Sequence, residues 1–110
     1  MVVTTKRLDA EGKAAVVVAE GKLSGQGASD RLCRAMLAAI ERYEAVVADL
    51  LAATDVDACA IGALAQAAAT AGMAGKIFAV AAVGEVAGTI EGLGFAGALK
   101  LRESVEVEEL

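Results

Sequence analysis

Between residues 45 and 50 the chain reads Ala-Val-Val-Ala-Asp-Leu, and seven residues after Leu50 a helical pattern opens at Asp57. The first run is short, apolar and β-branched, the pattern of a strand covered on both faces rather than one with a wet side. The second opens on an Asp, whose carboxylate accepts hydrogen bonds from the free N–H groups of a first helical turn and suits the positive end of the helix dipole. Ile61, Leu64, Ala65 and Ala68 then recur at helical spacing, one apolar stripe to lay on a sheet. A buried strand feeding a capped helix commits the chain to an α/β architecture. It also places three carboxylates, Asp49, Asp55 and Asp57, around one strand-to-helix connection.

The rest of the chain alternates in the same way. Residues 2 to 8 predict an edge strand, Asp9 to Lys13 a turn, and Ala14 to Leu23, with its Val16-Val-Val18 run, a second strand paired to the first as a hairpin. Ser24-Gly-Gln-Gly-Ala28 breaks that strand. Leu32, Cys33, Met36, Leu37, Ile40 and Tyr43 then mark an amphipathic helix, with Ser24 as its expected cap. The second helix is expected to end near Gly72 to Gly75, followed by a strand over Lys76 to Val80. Val83, Val86, Ile90 and Leu93 predict a third, shorter helix, and Ala98 to Leu101 a last strand. Residues 104 to 110 read as a helical turn or a frayed acidic tail. With 110 residues, no proline and no linker-like stretch, the expectation is a single domain over residues 1–110 with a mixed sheet of four to five strands and helices packed on it.

Composition excludes much chemistry. Histidine is absent, which removes the usual neutral-pH acid–base group, the Ser-His-Asp and Cys-His arrangements, and most zinc sites. The net charge of −5 and the three aromatics, Tyr43, Phe78 and Phe95, leave no basic, aromatic-laced patch, so nucleic acid is not an expected partner. Cys33 and Cys59 form no CxxC pair and no secretory leader precedes them, so free thiols in the cytoplasm are expected. The uncharged stretch from Ala58 to Gly75 is alanine-rich and short of a membrane span, and a buried helix is the better reading. Asp49, Asp55 and Asp57 would suit Mg²⁺, but a strand-end residue, a loop residue and a cap explain them without metal. No cofactor is expected.

Five segments in order resemble the STAS family, the fold of bacterial anti-sigma factor antagonists and of the cytoplasmic tails of sulfate transporters. Gly21-Lys-Leu-Ser24 is similar to its G-x-L-D turn with Ser for Asp, and Val46 to Leu50 to its V-V-L-D-L strand. Asp57-Ala-Cys-Ala-Ile-Gly62 stands where the family has D-S-S-G-L-G, eight residues after Asp49 as in the family. Gly75 to Val80, and Ile90 through Gly94-Phe95, resemble its later strand and its L-x-x-x-G-L helix end. The resemblance covers nearly the whole chain. It implies a non-enzymatic partner-switching regulator that binds an anti-sigma factor of the serine kinase type, here through Lys22, Ser24, Thr54, Asp55, Asp57, Ala58, Cys59 and Ile61. It equally allows an accessory or transporter-associated domain that binds a membrane protein complex without inserting in the bilayer, and it leaves a homodimer open.

In such antagonists, phosphorylation of the second serine breaks the complex by adding roughly two negative charges inside the contact surface. This chain departs from the family there. Cys59 holds the switch position, Ala58 the serine before it and Ala60 the glycine after it. Neither place offers a hydroxyl. Ser29 and Thr54 are the nearby hydroxyls that remain, and Cys59 is either a redox handle at a helix start or a small residue in a small site.

Overall fold

The computed structural model describes residues 2–9 and 11–105. Strand β1 (Val2–Arg7) pairs antiparallel with β2 (Ala14–Lys22), as the hairpin pattern predicts. Asp9 closes the turn between them: its Oδ1 accepts from the backbone N–H groups of Lys13 and Ala14 at 2.9 and 3.3 Å. The chain then passes through α1 (Gln26–Arg42) into β3 (Ala45–Asp49), which lies parallel to β2 with Val16 opposite Val47. After β3 a two-residue strand, β4 (Ala53–Thr54), returns to pair with Gly21 and Lys22 at the end of β2. Helix α2 (Ala58–Met73), strand β5 (Ile77–Ala81), helix α3 (Gly84–Gly92) and strand β6 (Leu101–Arg102) follow.

The sheet runs in the order β1-β2-β3-β5-β6, with β4 off this path on β2. From β2 onward each parallel step moves to the same side. Right-handed crossovers therefore set α1, α2 and α3 on one face. Packing agrees: Val17, Ala19, Val46, Ala48, Phe78 and Val80 from the sheet meet Leu32, Met36, Ile61, Leu64, Val86 and Ile90 from the helices in one cluster. The alternate residues Val16, Val47 and Ala81 form a smaller cluster on the other face with Leu8, Val18 and Val105. Val47 and its neighbours Val46 and Ala48 expose 0 to 1% of their surface, so β3 is buried on both sides, as its unbroken apolar run implies.

Several boundaries differ from expectation, each for a local reason. Helix α1 starts at Gln26, inside the stretch read as a break, because the break covers only residues 23–25 and closes at Gly25, whose φ of 90° is a conformation glycine adopts freely. Gly25 is therefore the N-cap. Ser24 stands one residue too early, and no side chain caps this helix. Among the described residues the sheet has six strands rather than four or five, the two short ones, β4 and β6, giving no period-2 signal. The last strand was expected over Ala98 to Leu101. Residues 96 to 100 instead form turns, with Lys100 at φ 49° and Leu101 N–H bonded to the Ala96 carbonyl, so β6 begins at Leu101. In α2 the buried stripe is Ala60, Ile61, Ala63, Leu64, Ala67 and Ala71, while Ala65 and Ala68 are half-buried. The reading of residues 104 to 110 falls mostly outside the described residues; Ser104 and Val105 are irregular.

A candidate protein-contact surface at the start of the second helix

Two segments more than thirty residues apart in sequence are zipped together at one end of the sheet. Gly21 N–H donates to the Ala52 carbonyl at 3.0 Å and Leu23 N–H to the Thr54 carbonyl at 2.8 Å, flanking the pairing of β4 with β2. These bonds carry the β2–α1 connection alongside the β4–α2 connection. Thr54 and Asp55 are exposed on this edge, and so is Lys22 across from Thr54.

Asp57 fastens the two connections. It is the N-cap of α2, in extended backbone, and its Oδ1 accepts from Ala60 N–H at 3.0 Å, as the sequence predicts. The other oxygen, Oδ2, accepts from Gly25 N–H at 2.8 Å, at the start of α1. One carboxylate thus serves two helix starts. The Gly25 bond, and after it the Ala60 bond, hold the Asp57 carboxyl below its ordinary value of 3.8, because both N–H groups favour the charged form.

Cys59 and Ala58 are exposed in the first turn of α2. The Cys59 thiol reaches the Gln26 Oε1 at 3.8 Å, and Gln26 in turn donates from Nε2 to Asp30 Oδ1 at 2.9 Å. One turn pair further along, the Cys33 thiol donates to Gln66 Oε1 at 3.6 Å. The two contacts are displaced by seven residues on both helices, so α1 and α2 lie side by side and run the same way. Burial, and then the charge of Asp30, push the Cys33 thiol up from its ordinary value. Both cysteines are free.

The remaining expected contact residues divide by burial. Ser24 is half-buried. Ile61 does not belong at a surface: it is 3% exposed and part of the core, because its place in the helical repeat points it at the sheet. Ser29 is also buried, its hydroxyl donating to the Gly25 carbonyl at 3.1 Å, so of the two neighbouring hydroxyls only Thr54 lies open. The three carboxylates do not converge on a cation. Asp49 accepts from Leu51 N–H at 2.9 Å, Asp57 is spent on two backbone donors, and among the described residues no group of three His, Cys, Asp or Glu side chains is placed to hold a metal ion.

Gly25 and Gln26 are tied to the start of α2 through contacts across 32 and 33 residues, for which no local pattern exists. The closeness of α3 to this surface has no local signal either. A groove of about 600 Å³ separates the β4–α2 connection from the first turns of α3, with Thr54 and Asp55 on one wall and Glu85 and Thr89 on the other.

No protein-family model matches this sequence, and no curated protein matches it either. Among the described residues no helix is long and apolar enough to cross a membrane. Solved structures do match. An anti-sigma factor antagonist from Mycobacterium paratuberculosis superposes with a TM-score of 0.79 at 23% identity, covering 94% of this chain and 88% of that one. The anti-sigma factor antagonist SpoIIAA in its unphosphorylated form superposes with a TM-score of 0.76 at 11% identity, over 98% of this chain and 92% of that one. The phosphorylated form of SpoIIAA, a Bacillus cell fate determinant, gives 0.72 at 10% identity, over 98% and 96%. With the strand order, the one-sided helices and the Asp57-capped helix in place, the chain has the STAS fold of the anti-sigma factor antagonists.

Proposed function

We propose that this chain acts as one STAS unit, a non-enzymatic cytoplasmic regulator that binds an anti-sigma factor of the serine kinase type through the surface formed by residues 21–26 and 52–60. Lys22, Thr54, Asp55, Ala58 and Cys59 present the contact face, and Ser24 and Asp57 support it. The observation that carries this reading is the double hydrogen bond of Asp57, which holds two distant connections as one preformed edge with the first turn of α2 exposed on it. A preformed edge lowers the ordering cost of binding. The likeness of the fold to anti-sigma factor antagonists supports the choice of partner.

Cys59 makes the contact constitutive. Its position offers a thiol where the resemblance expects the serine whose phosphorylation ends binding, and Ala58 offers nothing in its place. Binding here is governed by the amounts of the partners rather than by phosphate.

The test is affinity capture from the native cell on the immobilised chain, with Cys59→Arg as the control. Cys59 is exposed, so the arginine fits the folded protein and obstructs only the face. The expected outcome is a serine kinase-type protein retained by the native chain and lost by C59R. A permease complex retained in its place would assign the chain to a transporter instead, and equal retention by both proteins would move the contact elsewhere.

A further inference from the structure

The groove beside this surface has its own chemistry. Its rim carries two carboxylates, Asp55 and Glu85, and no lining residue is cationic. Its walls include Val56, Val83 and Val86, and the hydroxyls of Thr54 and Thr89 complete the polar part. Thr89 donates its own proton to the Glu85 carbonyl at 3.0 Å, leaving its oxygen to accept. Such a site offers acceptors and apolar wall, and no donor from a charged side chain.

Two classes of cation would suit carboxylates, and the structure separates them. A bare divalent ion needs six or more oxygen ligands closely gathered, and no group of three acidic or sulfur side chains is so placed among the described residues. A long basic side chain needs something else, apolar surface for its methylene stem and acceptors for its head. The groove supplies both. It is also continuous with the proposed contact face, since Thr54 and Asp55 belong to both. Its lining includes one of the chain's exposed large apolar residues, Val83 at 47%.

We infer that the groove between the β4–α2 connection and α3 is the seat of an arginine or lysine side chain presented by a protein partner, with Asp55 and Glu85 as its counter-charges. This deepens the reading above: α3 becomes part of the contact face, and the partner's surface must carry a protruding basic residue flanked by apolar ones. Glu85 also stands in the first turn of α3, where a carboxylate suits the helix dipole on its own account. The test must therefore read binding and not stability.

The experiment is an NMR titration of the native chain with the blocked peptide acetyl-Leu-Arg-Leu-amide, and with the same peptide carrying citrulline, which keeps the shape and drops the charge. Saturable shifts are expected at the amides of Asp55, Glu85 and Thr89 with the arginine peptide alone. Glu85→Gln and Asp55→Asn, both exposed, are expected to weaken the arginine peptide about two- to fivefold each, the worth of one exposed charge pair. Asparagine is the right replacement because it tolerates the positive φ of 49° that Asp55 adopts. Shifts scattered over surface carboxylates such as Glu20 and Glu103, no saturation, or unchanged affinity in both variants would overturn the inference. So would tighter binding of spermidine than of the peptide, which would make this a small-cation site. The capture experiment with C59R does not depend on these residues, so failure of the groove and failure of the contact face are told apart.

Discussion

Asp57 shows how one side chain joins sequence-local and long-range order. Its capping of α2 is legible in the sequence, because an N-cap is recognised by its neighbours within three residues. Its bond to Gly25 is not, because nothing local marks a partner 32 residues away. The consequence is a defined acid sensitivity. The folded-state carboxyl lies below its ordinary value of 3.8, so its stabilisation is complete above that value and is lost as pH falls through it toward the folded one. Urea midpoints measured from neutral to acid pH are expected to show native protein above Asp57→Asn at neutral pH, with the two curves converging in acid. Parallel curves would remove the carboxylate from the account. Cys59 marks the opposite case: the residue is plain in the sequence, and only the structure shows it exposed beside Gln26.

Helix α2 has a composition that does not by itself distinguish its faces. From Ala58 to Met73 it carries no charged residue, so one face cannot be told from the other by polarity, and its alanines fit a flat outer surface or close packing equally. The structure divides them. Ala60, Ala63, Ala67 and Ala71 face the core, where small side chains let the helix approach the sheet and α1, while Ala58 and Ala69 face out. Ala67→Leu is therefore expected to cost about 1–3 kcal/mol by overpacking, and Ala69→Leu close to nothing. Thermal or urea unfolding of the two variants checks this, and equal costs would undo the division. Helix α1 differs, since its charged residues alternate with Leu32, Met36 and Ile40 and mark its buried face. Its far end is finished by a residue outside it, Lys76, whose ammonium donates to the Ile40 and Glu41 carbonyls.

At the scale of the molecule, the sheet order places every crossover helix on one face and leaves the other to Val16, Val47 and Ala81 under Leu8, Val18 and Val105. The large cluster is where stability concentrates. Leu64, on α2, is fully buried within it, and Leu64→Ala is expected to cost about 2–5 kcal/mol, a large share of what a domain of this size holds. A urea midpoint shifted by less than the Ala67→Leu variant would place the centre of the core elsewhere.

The order of strands and helices, the burial of β3 on both faces and the cap of α2 were decided by the sequence itself, because each depends on periodicity or on neighbours a few residues apart. Tertiary structure alone decided the joining of residues 21–26 to 52–60, the burial of Ser29, the pairing of the two-residue strands and the groove against α3. Those depend on which distant backbone groups meet, and a contact between segments thirty residues apart leaves no repeat in the chain from which to read it.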